Sequence, residues 1–259
     1  MAKKIKFFVV GDIIGKPGRN YLASKLRGFS EIKGVDVVIA NGENAAGGFS
    51  LTTKVVEELF GAGVNIITSG NHIWDNRDIL KIIDSEPKLL RPANYPEGVP
   101  GQGVCLYNYQ GLKIGVINLL GRVQMVPIDC PFRKFDEIYN RISEETDIII
   151  VDFHAEATAE KRAFGWYVVG RASLVYGTHT HVQTADEEIL LGKTAYITDI
   201  GMTGPFDSVI GMKKDDSIRK FLTQQKVKFE VAEKNIKING VLVEIDKSGV
   251  AINIERVVI

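Results

Sequence analysis

The 259-residue sequence predicts an α/β protein: two mixed β-sheets packed face to face with helices outside, a four-layer α-β-β-α sandwich. Short, wholly apolar runs bounded by glycine or polar residues recur along the first two-thirds, as strands buried on both faces do. Helix-period patterns separate several of these runs. The last third turns to alternation of apolar and polar residues, the pattern of half-exposed antiparallel strands.

The apolar runs are Ile5–Val10, Val35–Ala40, Asn65–Thr68, Ile148–Val151 and Leu174–Tyr176, predicted as strands of a mainly parallel sheet. The spacing predicts helices over Tyr21–Phe29, Thr53–Phe60, Arg77–Ile83, Phe135–Ile142 and Ala159–Trp166. Val104–Tyr109 and Leu112–Leu119 flank Gln110-Gly111 and predict a hairpin; Glu188–Leu191 and Thr194–Thr198 around Gly192-Lys193 predict another. In Lys226–Glu233, Val227, Phe229 and Val231 alternate with polar neighbours and predict a strand, continued by Lys237–Asp246 and Val250–Val257. A parallel N-terminal half and an antiparallel C-terminal half imply the two sheets. No repeat, linker or low-complexity segment divides the chain, so residues 1–259 read as one domain.

Composition narrows the function. Hydrophobic residues make up 45% and charged residues 25%, which excludes a disordered tail, a collagen-like repeat and a disulfide miniprotein. Lysine plus arginine and aspartate plus glutamate both number 32, so the basic excess of a nucleic-acid coat or membrane-surface binder is missing. Cys105 and Cys130 form no Cys-x-x-Cys pair, which suits a reducing compartment. Lys3, Lys4 and Lys6 before Phe7–Val10 imitate a signal peptide, but the apolar run stops at Gly11-Asp12. No run approaches the roughly 18 apolar residues of a membrane span. The expectation is a soluble cytoplasmic protein with no membrane and no stable nucleic-acid partner.

The strongest signal is positional, because ligands of open α/β sheets bind just past the carboxyl ends of strands. Five predicted strands are each followed at once by metal-competent residues: Gly11-Asp12, Asn41-Gly42-Glu43-Asn44, Gly70-Asn71-His72, Asp152-Phe153-His154 and Gly177-Thr178-His179-Thr180-His181. Singly, each histidine reads as a hydrogen-bonded structural residue, Asp12 and Asn41 as turn formers and Glu43 as a solvated loop charge. Yet the chain has 4 histidines and all fall in these clusters, which favours a metal site for the set. In extended backbone His179 and His181 project to one side and can serve one metal or two neighbours. Asn71 and His72 would point apart, so one can bind metal while the other stays free. A nitrogen-and-oxygen donor set without thiolate favours iron, manganese or zinc. Glu43 is the more central candidate for a carboxylate that bridges two cations.

Gly11-Asp12, Gly70-Asn71-His72, His154 and Gly177-Thr178-His179-Thr180-His181 resemble the motif series of calcineurin-like metallophosphoesterases. Two departures stand out. Ile14 occupies the position of a usual Asp-x-His histidine, and Asn41-Gly42-Glu43-Asn44 stands where Gly-Asp is usual. Both departures resemble the YmdB-like branch, bacterial cyclic-nucleotide phosphodiesterases, as do Gly47-Gly48-Phe49, Arg91-Pro92-Ala93-Asn94 and Asp199-Ile200-Gly201-Met202-Thr203-Gly204-Pro205. The resemblance covers nearly the whole chain. It implies that Asp12, Glu43, Asn44 and His181 hold one metal. Glu43 then bridges to a second, completed by Asn71, His154 and His179, with His72 left as proton donor. It further implies two transition-metal ions, iron or manganese ahead of zinc because Asn44 offers an amide oxygen in place of an imidazole. The implied reaction is attack of a metal-bridging hydroxide on the phosphorus of a cyclic nucleotide, taking 2′,3′-cyclic nucleotides to 3′-monophosphates with His72 as general acid. A homo-oligomer is implied as well.

Other readings compete. A broad-specificity dinuclear phosphatase or nuclease shares the metal site. An amidohydrolase also displays His-x-His, but after its first strand. A regulatory metal-binding protein predicts a coordinatively closed site. Gly11–Pro17 imitates a Walker A loop with one residue too few and Pro17 in place of Ser or Thr. Arg91, Asn94 and Arg122 are candidate anion or base contacts, and Phe49 a candidate base-stacking ring. Trp74 and Trp166 read as packing, and Cys105 as an inert strand residue.

Overall fold

Ile5, Phe7 and Val9 face one way along the first strand, Phe8 and Val10 the other, and all five are buried. A strand apolar on both faces has to be covered on both. The computed structural model describes residues 4–259, so Lys3 and the first residues of the 1–259 unit lie outside the described residues. β1 (Lys4–Val10) pairs in parallel with β3 (Val37–Asn41), and β3 with β4 (Ile66–Thr68). On its other edge β1 meets β12 (Ile236–Asp246) antiparallel, and β12 also pairs with β11 (Met202–Pro205) and β13 (Ala251–Val258). The two-residue β2 (Asp12–Ile13) closes that edge against β11.

The second sheet runs in the order β5 (Val104–Tyr109), β6 (Leu112–Leu120), β7 (Ile148–His154), β8 (Leu174–Thr178), β10 (Thr194–Ile197) and β9 (Glu188–Leu190). Its central strands are parallel and its two edges antiparallel. The β5–β6 hairpin turns on Gln110 and Gly111 with φ of 50° and 88°, the doubly left-handed turn that matches strand twist.

Between the sheets, Phe7, Val9, Ile39 and Val243 meet Val116, Ile150, Leu174 and Tyr176. On the outer face of the first sheet, α1 (Gly15–Lys33) and α2 (Thr53–Ala62) lay Leu22, Leu26, Val56 and Leu59 over Phe8 and Val38. On that of the second, α3 (Pro131–Ile142) and α4 (Thr158–Tyr167) lay Phe135, Ile138 and Phe164 over Val151 and Phe153. The result is the four-layer α-β-β-α sandwich. Among the described residues no helix is long and apolar enough to cross a membrane.

Four local expectations need correction. The C-terminal strands form no sheet of their own: β12 covers the free edge of β1 and adds Val241, Val243 and Ile245 to the core between the sheets. Lys226–Glu233 is not a strand, because its neighbour is a loop. Lys213 N donates to Glu230 O and Ala232 N to Gly211 O, with a single bridge between Met212 and Val231. Arg77–Lys81 makes only a short 3-10 turn, with the Asn76 side chain accepting from Asp78 N at its start. Helix α1 begins at Gly15, well before Tyr21. A fifth helix, α5 (Lys214–Thr223), lies in the excursion between β11 and β12.

Candidate metal centre

Asp12 sits in β2 directly past β1; Glu43 and Asn44 follow β3; Asn71 and His72 follow β4; His154 ends β7; His179 and His181 follow β8. The side chains converge. Glu43 Oε1, Asn71 Oδ1 and His179 Nδ1 each lie 3.1 Å from His154 Nε2. The Asn44 amide lies 3.2 Å from Glu43 Oε1 and 3.2 Å from His181 Nε2. Asp12 Oδ1 is 3.9 Å from His181 Nε2. The ligand atoms of Glu43, His154 and His179 all lie within 4.8 Å of one another, as do those of Asp12, Glu43 and His181. Glu43 belongs to both groups.

Such crowding of acceptors is costly unless something positive stands among them. Asp12 Oδ1 is fully buried and has no hydrogen-bond partner; His154 Nδ1 and His181 Nε2 stand off at 3.9 Å, beyond hydrogen-bond reach. A cation fits that donor set. Gly70 is part of the fit: a Cβ there would stand 2.3 Å from both Glu43 Oε2 and His154 Nε2. Glu43 is 99% removed from solvent, unlike the loop charge its sequence position suggests on its own.

Outer contacts turn one nitrogen of each imidazole toward the centre. His154 Nδ1–H donates to Thr178 Oγ1 at 2.8 Å, and the Thr178 hydroxyl donates to Asp152 Oδ1 at 2.7 Å. Asn41 Nδ2 also donates to Asp152, at 3.1 Å. His181 Nδ1–H donates to Ile210 O at 2.9 Å, and His179 Nε2 faces Glu156 Oε2 at 3.1 Å. The nitrogens left over, His154 Nε2, His181 Nε2 and His179 Nδ1, are those that crowd Glu43 and Asn44. Contacts of this kind fix the tautomer of a ligating histidine.

His179 and His181 do not reach the centre through extended backbone. Their φ values are 96° and 63°, a left-handed geometry that costs roughly 1–3 kcal/mol per residue. The turn is held from behind by Asp199, which accepts from Thr180 N at 3.1 Å and Thr180 Oγ1 at 2.6 Å. Lys161 Nζ, 2% exposed, neutralises Asp199 at 2.7 Å.

The charges reflect the geometry. Burial, assisted by Glu43 and Asp199 and opposed by His181 and His154, pushes the Asp12 carboxyl up to about 7. Burial also works against the Glu43 carboxylate, but the adjoining His154 outweighs it and holds Glu43 down at about 2. His154 shows the converse: burial lowers it, while Glu43, Asp12 and Asp152 push it up to about 9. Burial and the neighbouring His154 hold His179 down at about 3.

His72 stands outside both ligand groups. Its backbone N–H donates to Glu43 Oε2 at 3.2 Å, its Nδ1 meets Asp75 Oδ2 at 2.7 Å, and its ring packs edge-on to Phe49 at 5.2 Å. It lines a cleft of about 400 Å³ that has Glu43, Asn44, His179 and His181 at its polar end.

Three candidate contacts lie elsewhere. Asn94 is buried, donating to Leu120 O and Asp129 O and accepting from Leu120 N. The Arg91 guanidinium donates to the Pro92, Val99 and Pro100 carbonyls, and Arg122 does not line the cleft. Trp74 packs on Tyr95, Trp166 on Arg162, and burial pushes the Cys105 thiol up to about 11. Sequence reasoning gave no role to Asp75, Glu156, Lys161, Thr178 or Asp199. Of these only Asp75, three residues after His72, carries a spacing signal.

Comparison with known proteins places this geometry in a family. The family model described as YmdB-like protein matches residues 8–257. A Bacillus subtilis (strain 168) protein named 2′,3′-cyclic-nucleotide 2′-phosphodiesterase is 46% identical over 256 residues, covering 98% of this chain and 97% of its own. The crystal structure of a hypothetical protein from Thermus thermophilus superposes with a TM-score of 0.93 at 36% identity, covering 98% of this chain and 99% of that one. That of a novel phosphatase from Mycoplasma pneumoniae gives 0.94 at 38% identity, covering 100% and 94%. The chain belongs to the YmdB-like family of metallophosphoesterases.

Proposed function

We propose that residues 1–259 form one dinuclear-metal phosphodiesterase domain that opens cyclic nucleotides, taking 2′,3′-cyclic nucleotides to 3′-monophosphates. The observation that carries this reading is Glu43, shared by two groups of ligand atoms that each fit within 4.8 Å. Asp12, Glu43, Asn44 and His181 would hold one cation, with the Asn44 amide turned to present its oxygen. Glu43, Asn71, His154 and His179 would hold the other. Nitrogen and oxygen donors without thiolate suit iron or manganese, then zinc. Bound there, two such cations clamp phosphoryl oxygens and lower the pKa of the attacking water.

The remaining work falls to the chain. His72, its Nδ1 engaged by Asp75, keeps Nε2 for the cleft and donates the proton to O2′ as the P–O2′ bond breaks. Diester preference follows from what is missing around the ligands. A monoesterase benefits from several cations on the equatorial oxygens, whereas Lys220 is the one lysine or arginine lining this cleft among the described residues. A cyclic diester carries one negative charge and has its leaving oxygen in the ring. The B. subtilis relative's name supports the same substrate class. Cys105 and Cys130, both free, suit a cytoplasmic home, and a homo-oligomer is part of the proposal.

The test is to incubate metal-replete protein separately with 2′,3′-cyclic AMP and with 3′-AMP. The expected result is 3′-AMP from the first and little inorganic phosphate from the second. Phosphate release from 3′-AMP at a comparable kcat/KM means a general phosphatase instead.

A further inference from the structure

The cleft has two dissimilar ends. At one lie the carboxylate and imidazole ligands; at the other Phe49, Ile210, Met212, Phe221 and Phe229 form an apolar wall. The wall is not core. Phe221 is 75% exposed, and Ile210 and Phe49 are also open to solvent. Leaving a phenylalanine in water forgoes much of the roughly 1.5–3 kcal/mol that its burial would contribute. Here that exposed surface adjoins the reaction centre: Phe49 packs on His72, whose backbone N–H is bonded to Glu43.

The polar groups near the wall are mostly committed. Thr180 donates its hydroxyl to Asp199, Glu156 faces His179 Nε2, and Lys220 Nζ donates to Gln224 O at 3.4 Å. What remains, besides the buried Ser217 hydroxyl, is apolar surface that suits a neutral, flat group.

We propose that this wall is the nucleobase subsite of the cleft, where the base stacks on Phe49, Phe221 and Phe229 and is not read by hydrogen bonds. The proposal rests on the phosphodiesterase reading above and deepens it. Two consequences follow for specificity. Among the described residues Ser217 is the one buried hydroxyl lining the cleft beside the wall, and a hydroxyl that can both donate and accept suits either purine edge. Adenine and guanine are therefore treated alike; strong discrimination requires polar groups that the wrong base leaves unpaired. Purines are favoured over pyrimidines in so far as they offer more stacking surface.

The experiment compares kcat/KM for 2′,3′-cyclic AMP, GMP and CMP with that for glycerol 1,2-cyclic phosphate, which has the same cyclic diester and no base. Wild-type protein, Phe221→Ala and Phe229→Ala are assayed metal-replete. Leu222→Ala, on the same helix but off the cleft, is the control. Stacking is worth roughly 1–3 kcal/mol per base, so the preference for cyclic AMP over the glycerol diester should fall about tenfold in Phe221→Ala, through KM. Adenine and guanine should stay within about threefold of each other. An unchanged preference in both phenylalanine variants overturns the subsite, as does a wild-type protein that opens both diesters equally well. A wild-type protein that opens neither overturns the phosphodiesterase reading itself. Light scattering on the same samples adds a further outcome: Phe221→Ala with reduced mass and unchanged preference makes the wall an interface between copies, and the proposal is wrong.

Discussion

Glu43 Oε1 and His154 Nε2 lie 3.1 Å apart, with the two side chains 1% and 0% exposed. Beside that carboxylate and without a cation, His154 keeps a proton up to about pH 9, although burial pulls the other way. A metal at His154 Nε2 must displace that proton. Metal affinity should therefore rise with pH up to about 9 and weaken as pH falls, since protons compete for the ligand. Titration calorimetry with manganese at about pH 7.5, in buffers of different ionisation enthalpy, should report about one proton or more released per chain. Heats that do not depend on the buffer would contradict this.

His72 and His154 should separate cleanly. His72→Ala is expected to retain both metals and lose turnover by about 10²–10⁴-fold, the range for a positioned acid. His154→Ala is expected to lose or weaken one metal. Metal content measured alongside activity decides the matter; equal loss of metal in both variants would mean that His72 is a ligand.

The hydroxyl of Thr178 links His154 to Asp152. Thr178→Val keeps the shape but removes the acceptor for His154 Nδ1–H, and should weaken metal binding about 10–100-fold. Thr178→Ser should restore it. A competition titration against a fluorescent chelator reads the difference, and a valine variant that binds as wild type rules out the relay.

Lys161 and Asp199 form a buried pair behind the His179–His181 turn. Lys161→Met leaves Asp199 charged and unpaired and should lower stability by about 3–5 kcal/mol. Changing Asp199→Asn as well should recover part of that. Urea unfolding of the three chains tests it, and a Lys161→Met protein as stable as wild type would show that the pair does not hold the turn.

Strands buried on both faces were legible because Phe7 to Val10 leave no other interpretation of so short an apolar run. β11 was not: Met202-Thr203-Gly204-Pro205 has no apolar pattern and is a strand only because β12 and β2 flank it. The alternation in Lys226–Glu233 was real but misleading. With no strand beside it, it puts Phe229 into the cleft instead of forming a ladder. The histidines could be picked out because His154 ends a strand and the other three follow strand ends. Lys161 could not, since a lysine on a helix reads as solvated until Asp199, 38 residues on, is folded against it. The left-handed turn at His179 and His181 was equally hidden, because nothing in Thr-His-Thr-His signals a positive φ.

The central claim is a pair of cations bridged by Glu43. Elemental analysis of protein purified without chelator, together with anomalous scattering from its crystals, tests it most directly. The account predicts two transition-metal ions per chain, with Glu43 between them. One fully occupied site with the Glu43 carboxylate turned away from it would contradict the account.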